Sequence, residues 1–374
     1  MKKKLVFVVN VDWFFESHRL PIALAAINVG YEVHLLCAAT NRKKYLENVG
    51  VIVHDIRLSR SGINIFKEFI IFSKMFRILS AIKPDVIHCV TIKPVIYGNI
   101  IGRLIKTPSR ISSISGLGYV FISKGFKSFV IRKLVSSVYK ISLKGSSRVI
   151  FQNKDDRDVL RGIKAVSSEQ EVFIRGSGVC LDKFKFSPEP DSTSNRKVVM
   201  FLARLLKDKG VSEFCEAASL LHNKSDARFV LVGDIDPDNP NSLSKAELLR
   251  LVKEGVVEHW GYTKKVEDVI PMSHIMVLPS YREGLPKSLI EAAACGRAVI
   301  TTDVPGCRDA IEPEITGLLV ASKNSKELAS CISYLLANDE RRRNLGRAGR
   351  DLAERCFDIN NVVDTHLQIY EGNA

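Results

Sequence analysis

Short apolar runs alternate along the first half of the chain with longer segments in which apolar residues recur at helical spacing. The predicted strands are Leu5–Val9, Glu32–Cys37, Val51–Ile56, Asp85–Val90 and Arg148–Gln152. The predicted helices between them are Ser17–Val29, which ends at Gly30, and Ile63–Ile82, which stops before Pro84. Strands that alternate with helices indicate a parallel sheet whose crossover helices cover both of its faces.

The pattern starts again after Ser187–Asn195, a polar segment rich in proline and serine that we interpret as a linker. The predicted strands beyond it are Val198–Leu202, Phe229–Val232, Ile275–Leu278 and Ala298–Thr301. The predicted helices are Leu243–Val252, Pro286–Ala294 and Ser325–Asn338. We therefore predict an α/β protein of two Rossmann-like, doubly wound domains facing a central cleft, with residues 1–186 in the first domain and residues 187–357 in the second.

Composition excludes several classes of protein. The 374 residues are 46% hydrophobic and 26% charged, which is ordinary for a globular protein and excludes a disordered, collagen-like or coiled-coil chain. The longest uncharged apolar stretches are much shorter than the ~20 residues of a membrane-spanning helix. The eight cysteines form no CxxC pair, and the apolar run Leu5–Val9 is too short for a signal peptide. We therefore expect a cytoplasmic protein with buried, reduced thiols.

The net charge of +14 is carried by the first part of the chain. Residues 1–150 contain 24 Lys or Arg against 7 Asp or Glu, and residues 101–150 contain ten basic residues and no acidic one. A surface of one sign attracts phosphates, whether these belong to nucleic acid, anionic lipid or a phosphorylated ligand. The chain has no helix-turn-helix or RNP signature, so we expect no nucleic-acid partner.

A segment from Tyr119 to Lys144 interleaves bulky apolar residues with these cations. This pattern is typical of an amphipathic element on an anionic membrane, although a partly buried helix with a solvated basic face would show it too. The absence of acidic residues favours the membrane, so the expected location is peripheral, on the inner face of the plasma membrane. The candidate membrane-binding residues are Lys124, Lys127, Arg132 and Lys133.

Two cations follow the first predicted strand of the second domain. Arg204 and Lys209 come after Val198–Leu202, near the edge of the sheet where ligands bind in doubly wound folds. An Arg fork and a Lys point charge can together neutralise a diphosphate. A solvated basic turn is the alternative interpretation.

Two carboxylates surround the start of the predicted helix near Pro286. Free N–H groups and the dipole make a helix start an anion site. Glu283 lies before this turn and Glu291 lies within the helix, and carboxylates accept hydrogen bonds from sugar hydroxyls. Taken singly, Glu283 could be a helix-cap partner and Glu291 a surface acid. The combination predicts a site for a nucleotide-sugar.

With Arg204-x4-Lys209 upstream, the spacing Glu283-x7-Glu291 resembles that of the retaining GT-B glycosyltransferases of family 4. The resemblance covers essentially the whole chain. The chain is similar above all to bacterial enzymes that extend lipid-linked glycans, including N-acetylgalactosaminyltransferases acting on undecaprenyl-diphosphate-linked glycans. Further matching segments are Asp12–Phe15, Ser17–Pro21, Ser115–Tyr119, Gly176–Val179, Ala292–Ile300, Pro305–Arg308 and Gly317–Val320. The resemblance implies a GT-B fold in which a C-terminal helix at about residues 358–374 joins the first domain.

The resemblance also assigns roles to single residues. Arg204 and Lys209 would bind the donor diphosphate and stabilise the leaving group, Glu283 would contact the transferred sugar, and Glu291 would bind the ribose hydroxyls. Arg204, Lys209 and Glu283 are therefore the candidate catalytic residues. Backbone N–H groups would complete the diphosphate site, those of Gly284 and Leu285. Candidates for contact with the acceptor or the donor sugar are His18, His88, Gly116 and Gly118.

The function implied is transfer of a sugar to a lipid-diphosphate-linked saccharide in bacterial surface polysaccharide (O-antigen, for example) or glycan assembly. The resemblance favours an N-acetylhexosamine from a UDP-sugar, either UDP-GalNAc or UDP-GlcNAc. UDP-galactose, UDP-glucose and GDP-linked donors remain open. Asp234-Ile235-Asp236 superficially resembles a metal-binding motif, but the family uses no metal, so we expect no cofactor and no metal. The alternative function is a nucleotide-sugar epimerase or hydrolase on the same fold.

Overall fold

The computed structural model describes residues 2–56, 65–117, 126–191, 196–222, 224–237, 239 and 241–373, except for the side chains of residues 65 and 126–130. The chain forms two compact units. The first unit contains Met1–Ser177 together with Ile359–Ala374, and the second contains Gly178–Asp358.

The first unit is built on a parallel sheet. Its strands are β1 (Lys4–Val11), β2 (Glu32–Ala38), β3 (Ile52–Asp55), β4 (Val86–Val90), β5 (Ser109–Ile114), β6 (Arg148–Phe151) and β7 (Glu171–Phe173). They lie in the order β3-β2-β1-β4-β5-β6-β7, and every neighbouring pair is parallel. Leu5 of the central strand β1 pairs with Val33 on one side and with Val86 on the other.

Helices cover both faces of this sheet, as predicted. They are α1 (Asp12–His18), α2 (Leu20–Asn28), α3 (Lys43–Asn48), α4 (Ile65–Ile82), α5 (Ile92–Leu104), α6 (Phe126–Leu143) and α7 (Lys154–Gly162). Leu5, Phe7 and Val9 pack into one core while Val6 and Val8 pack into another. Successive side chains of a strand point to opposite faces, so a strand buried on both sides is a continuous apolar run.

The second unit repeats this architecture. Its strands are β8 (Val198–Leu202), β9 (Arg228–Val232), β10 (Glu258–Gly261), β11 (Ile275–Leu278), β12 (Ala298–Thr302) and β13 (Gly317–Val320), in the parallel order β10-β9-β8-β11-β12-β13. Its helices are α8 (Val211–Leu221), α9 (Lys245–Lys253), α10 (Val266–Val269), α11 (Lys287–Ala294), α12 (Ser325–Ala337) and α13 (Asp339–Cys356). The last helix, α14 (Ile359–Glu371), belongs to the first unit, in whose core Val362, Ile369 and Tyr370 are buried.

The predicted fold class is confirmed, whereas the predicted elements and the expected burial of the cysteines need correction. The structure adds four strands, β5, β7, β10 and β13. The single helix predicted over Ser17–Val29 is two helices, interrupted at Arg19, which has non-helical backbone angles of φ −133° and ψ −14° before Pro21 in the first turn of α2. The eight cysteines are free thiols, as expected, but three are not buried: Cys180 is exposed, and Cys331 and Cys356 are half-buried.

The start of the second unit lies earlier in the chain than the predicted boundary after residue 186. The Val179 N–H donates to the Phe357 carbonyl at 2.7 Å, and Phe184 is buried in the second unit's core. The first part of the predicted linker is also bonded to the second unit, since Glu189 accepts two hydrogen bonds from Arg342 at 2.9 and 2.8 Å. Residues 192–195 of that linker lie outside the described residues.

The strand order of the second sheet identifies the point on its carboxyl edge where a ligand can bind. In the second sheet the chain moves outward from β8 in one direction through β9 and in the other direction through β11. The loops that follow β8 and β11 therefore leave neighbouring strands at the same carboxyl edge and diverge to opposite faces. Ligands of doubly wound sheets bind at this point of divergence.

Candidate functional site

The loop after β8 carries both predicted cations. Arg204 follows the strand after one residue, and Lys209 ends a short 3-10 turn over Lys207–Lys209. Gly210 comes next with φ +77°, and a Cβ atom there would lie 2.1 Å from the carbonyl oxygen of Pro279. Only glycine allows this approach, so the loop after β8 is held against the loop after β11.

This approach brings Lys209 to Glu283. The Lys209 Nζ atom lies 2.5 Å from Glu283 Oε1, and the Ser280 hydroxyl donates to the same oxygen at 2.8 Å. The two charged side chains are mostly buried, with 24% and 12% of their surface exposed. Among the described residues none donates a hydrogen bond to Glu283 Oε2, so this oxygen can accept one from a ligand.

A third loop, after β12, supports the backbone of Glu283. The Glu283 N–H donates to the Pro305 carbonyl at 3.0 Å. Gly306 has φ +81°, and a Cβ atom there would lie 2.4 Å from the Glu283 carbonyl oxygen. The family resemblance included Pro305 and Gly306 without a role for either, and Ser280 was not among the predicted site residues. The one sequence signal for this loop was Gly306, a glycine that follows the predicted strand Ala298–Thr301.

The helix start predicted near Pro286 is at Lys287, with Pro286 at the N-cap of α11. A proline side chain cannot accept hydrogen bonds, so Pro286 provides no side-chain cap for α11, although its carbonyl accepts a hydrogen bond from the Leu289 N–H at 3.2 Å. The start of a helix suits an anion. Gly284 and Leu285 immediately precede this start, and Leu285 is buried. The role of their N–H groups stays a prediction.

Glu291 is not a surface acid, which excludes one of its two interpretations. It is 6% exposed and lies on α11, where Lys287 Nζ contacts Glu291 Oε1 at 3.2 Å. Burial raises the pKa of the Glu291 carboxyl, and the nearby Lys287 partly opposes this. A buried carboxylate that retains its charge needs hydrogen-bond donors, which ribose hydroxyls would supply.

Arg204 is more exposed and has a carboxylate partner. Its Nη1 atom donates to Asp236 Oδ2 at 2.9 Å, and 47% of its side chain is accessible. The Asp236 N–H donates to the Ser242 hydroxyl at 2.9 Å. Within the described parts of the chain, no group of three or more His, Cys, Asp and Glu residues is placed to hold a metal ion. Asp234 and Asp236 therefore form no such cluster.

The structure argues against a substrate-facing role for His88. His88 is fully buried in mid-strand β4, its Nδ1 bonds the Tyr370 hydroxyl at 2.7 Å, and its Nε2 bonds the Ser113 hydroxyl at 2.7 Å. Burial lowers its pKa well below the usual value. With both nitrogens engaged, His88 ties α14 to the sheet.

The other candidates of the first unit lie nearer its carboxyl edge. His18 is half-buried at the end of α1, stacks on Phe14 with ring centroids 4.1 Å apart, and bonds the Phe14 carbonyl at 3.2 Å through Nδ1. Gly116 follows β5 with φ +108°, and Gly118 lies outside the described residues. Contact of His18 or Gly116 with a substrate stays a prediction.

Two of the four candidate membrane residues, Arg132 and Lys133, have side chains that the structure describes. Lys124 and the side chain of Lys127 lie outside the described residues, whereas Arg132 is half-buried and Lys133 is exposed on α6. Among the helices searched in the described residues, none combines the length and the apolar content that crossing a membrane requires.

Comparison with known protein families matches both units. Residues 4–153 match the family model described as "Glycosyl transferase 4-like", and residues 182–352 match "Glycosyl transferases group 1". These two ranges correspond to the two sheets, and the second contains all the predicted donor-site residues.

Individual relatives match across most of the chain. An N,N'-diacetylbacillosaminyl-diphospho-undecaprenol alpha-1,3-N-acetylgalactosaminyltransferase of Campylobacter jejuni is 31% identical over 365 residues, 94% of each chain. A UDP-Gal:alpha-D-GlcNAc-diphosphoundecaprenol alpha-1,3-galactosyltransferase of Escherichia coli is 24% identical over 310 residues, 78% of this chain and 77% of the other. The crystal structure of HepE from Anabaena with UDP and glucose matches with a TM-score of 0.78 at 16% identity, over 99% of this chain and 100% of that one.

Proposed function

This chain belongs to the GT-B glycosyltransferases with family 4-like and group 1 domains, and from that premise we propose that it transfers an N-acetylhexosamine from a UDP-sugar to a saccharide on undecaprenyl diphosphate. The observation that carries the proposal is the Lys209–Glu283 contact at the carboxyl edge of the second sheet, with Arg204 in the same loop. A cation beside a carboxylate suits a donor whose diphosphate and sugar are adjacent.

The acceptor and donor are supported to different degrees by the relatives. Both the Campylobacter and the Escherichia coli enzymes are named for acceptors that end in diphospho-undecaprenol, although they transfer different sugars. This supports a lipid-diphosphate acceptor for the present chain, in assembly of a surface polysaccharide or glycan. The more similar of the two relatives transfers N-acetylgalactosamine, which favours UDP-GalNAc as the donor.

In the proposed reaction the acceptor hydroxyl attacks the anomeric carbon and passes its proton to an oxygen of the departing diphosphate, while the bond from that carbon to the diphosphate oxygen breaks. UDP leaves with the bonding electron pair, so negative charge develops on its terminal phosphate. Lys209, Arg204 and the start of α11 would stabilise this charge, and because they are already fixed in place they reorganise little. Attack on the face from which UDP departs would retain the configuration, without a covalent enzyme intermediate or a metal ion.

Glu283 would orient the transferred sugar. Its Oε1 atom is occupied by Lys209 and Ser280, whereas its Oε2 atom can accept a hydrogen bond from a sugar hydroxyl. An ammonium has three donors, so Lys209 can retain Glu283 while it binds a phosphate oxygen. Glu291 would then receive the ribose hydroxyls from within α11.

The test is an assay with undecaprenyl-diphosphate-linked acceptors and a panel of UDP-, GDP- and dTDP-sugars. We expect UDP release to require the acceptor and to match the amount of sugar transferred. Release of UDP at an equal rate without acceptor would instead indicate a hydrolase or epimerase. A thermal-shift comparison of UDP, GDP and dTDP provides an independent measure, since a ligand that binds the native state raises Tm.

We further propose that the enzyme meets its acceptor as a peripheral protein on the inner face of the plasma membrane. The lipid-linked acceptors of its relatives and the positive charge of residues 1–150 support this location. Binding to vesicles that contain anionic lipid, and partial release by salt, would be the expected behaviour.

A further inference from the structure

Helix α4 of the first unit presents large apolar side chains to solvent. Phe66, Phe69 and Ile70 are 83%, 71% and 65% exposed. Their spacing of three and four residues places them on one side of the helix. The opposite side also is apolar, because Met75 and Leu79 are fully buried in the core. A helix that is apolar on both sides is expected to be covered on both.

The rotation of α4 about its axis is set by polar contacts. Its acidic residue Glu68 accepts hydrogen bonds from Lys93 Nζ at 2.6 Å and from the Tyr97 hydroxyl at 2.7 Å, both on α5. Lys74 Nζ donates to the Asp55 carbonyl at 2.8 Å. Turning the phenylalanines inward would break these contacts and expose the buried side, so the outward apolar side is a stable feature of the fold.

A second helix adds to this exposed surface. Ile131 and Leu134 on α6 are 49% and 65% exposed, and α5 packs against both α4 and α6 on the same face of the sheet. We define the α4–α6 apolar surface as Phe66, Phe69, Ile70, Ile131 and Leu134. Both helices follow strands of a parallel sheet, so their first turns lie toward the carboxyl edge, where ligands of such sheets bind.

The charge around this surface identifies the kind of partner. From residue 65 to residue 144 the sequence has 14 Lys or Arg and two Asp or Glu. One of the two acids, Glu68, is neutralised by Lys93. Lys67, Arg77 and Lys133 are exposed on the same two helices. Exposed aromatic and aliphatic side chains among cations, with almost no acid, match the boundary between phosphate headgroups and acyl chains.

We propose that the α4–α6 apolar surface inserts into an anionic bilayer, with the α4 phenylalanines reaching the acyl boundary and the flanking cations on lipid phosphates. The proposal rests on the proposed function only in that it specifies how the enzyme would meet a lipid-linked acceptor. It places the principal apolar contact on α4, outside the segment 119–144 that the sequence indicated. The lipid diphosphate would then lie at the level of the first unit's carboxyl edge.

The test compares sedimentation with phosphatidylcholine vesicles prepared with and without phosphatidylglycerol. The variant is Phe66→Ser/Phe69→Ser/Ile70→Ser, and the matched control is Leu249→Ser/Val252→Ser, which replaces exposed apolar residues on α9 of the second unit. We expect the wild type and the control to bind anionic vesicles equally. The α4 variant should bind at least about tenfold more weakly, because it buries less apolar area in the bilayer. At high salt the wild type should retain part of its binding and the α4 variant none.

Two further measurements keep the result unambiguous. UDP should raise the Tm of the α4 variant as it does that of the wild type, which shows a folded protein with an intact donor site. In Phe69→Trp the new indole should be quenched by brominated acyl chains, and in Leu249→Trp it should not.

Three outcomes would overturn the inference: no binding of the wild type to either vesicle, equal binding of the α4 variant, or absence of quenching in Phe69→Trp. A wild-type dimer that the α4 substitutions convert to monomer, with vesicle binding unchanged, would assign the surface to a second copy of the chain. None of these results bears on the transfer reaction. If the wild type bound anionic vesicles as expected but transferred no sugar, the proposed function would be contradicted and the membrane inference would stand.

Discussion

Replacing Lys209 by methionine tests the central contact of the donor site, because it removes the ammonium and keeps most of the side-chain volume. In the wild type the Lys209 ammonium lies 2.5 Å from Glu283 Oε1. The Lys209 side chain is 24% exposed and the Glu283 side chain is 12% exposed. If Lys209 stabilises the leaving diphosphate, its loss should lower kcat by about 10²–10³, or about 2.7–4 kcal/mol of transition-state stabilisation.

The effect on stability should be much smaller. Exposed ion pairs contribute about 0–1 kcal/mol, while breaking a fully buried pair costs about 3–5 kcal/mol. The Lys209–Glu283 pair lies between these limits, and Ser280 still donates to Glu283 in the variant. We therefore expect the free energy of unfolding to fall by about 1–2 kcal/mol, which leaves the protein folded.

The assay is steady-state transfer with the donor varied, accompanied by urea unfolding. Loss in kcat indicates an interaction made in the transition state, whereas loss confined to KM indicates ground-state binding of the diphosphate. Lys207→Met is the matched control, since Lys207 is exposed in the same 3-10 turn. Turnover and UDP affinity within a few-fold of wild type in Lys209→Met would refute the diphosphate assignment.

Three further predictions follow from other parts of the molecule. Activity should persist in EDTA; complete loss that manganese or magnesium restores would contradict the metal-free mechanism and revive Asp236 as a ligand. Burial lowers the pKa of His88, and that of His366 to about 3. Below pH ~6.5 the unfolded chain therefore binds protons that the folded chain cannot, and the free energy of unfolding should fall by up to about 1.4 kcal/mol per histidine per pH unit. Urea titrations between pH 7 and 5 measure this, and an unchanged pH dependence in His366→Leu would count against it. Arg342→Ala should cost up to about 3–5 kcal/mol in urea unfolding, because the mostly buried Glu189 carboxylate would keep only its longer contact with the exposed Arg343, at 3.4 Å; a cost below 1 kcal/mol would show that the Arg342–Glu189 pair is dispensable.

The sequence alone determined the elements whose burial is complete on both sides. Strands β8 and β11 are apolar throughout, and β1 is apolar from Leu5 to Val9, because parallel strands covered by helices on both faces have no polar side. It also determined the residue types of the donor site, since Lys209 and Glu283 lie directly after two of these strands.

Two of the strands that sequence reasoning missed, β5 and β10, contain polar residues whose partners come from other parts of the chain. In β5, Ser112 and Ser113 are buried because Asn99 and His88 bond them. The edge strand β10 begins at Glu258, which is held by Arg228 of β9. A serine or glutamate gives no local sign that such a partner exists, so its burial cannot be predicted from the pattern along the chain.

Tertiary structure alone decided which predicted residues meet. Lys209 contacts Glu283 because β8 pairs with β11, and because Gly210 lets the two loops approach. In the first unit, tertiary contacts withdraw His88 from any substrate, since Tyr370 and Ser113 occupy its ring nitrogens.

Helix α4 shows the same division most clearly. Its sequence is apolar on two opposite sides, which identifies a helix but not the side that faces the core. The contacts of Glu68 with Lys93 and Tyr97 of α5 select one side for burial. Phe66 and Phe69 therefore face outward, because the Glu68 carboxylate must reach its donors on the neighbouring helix α5.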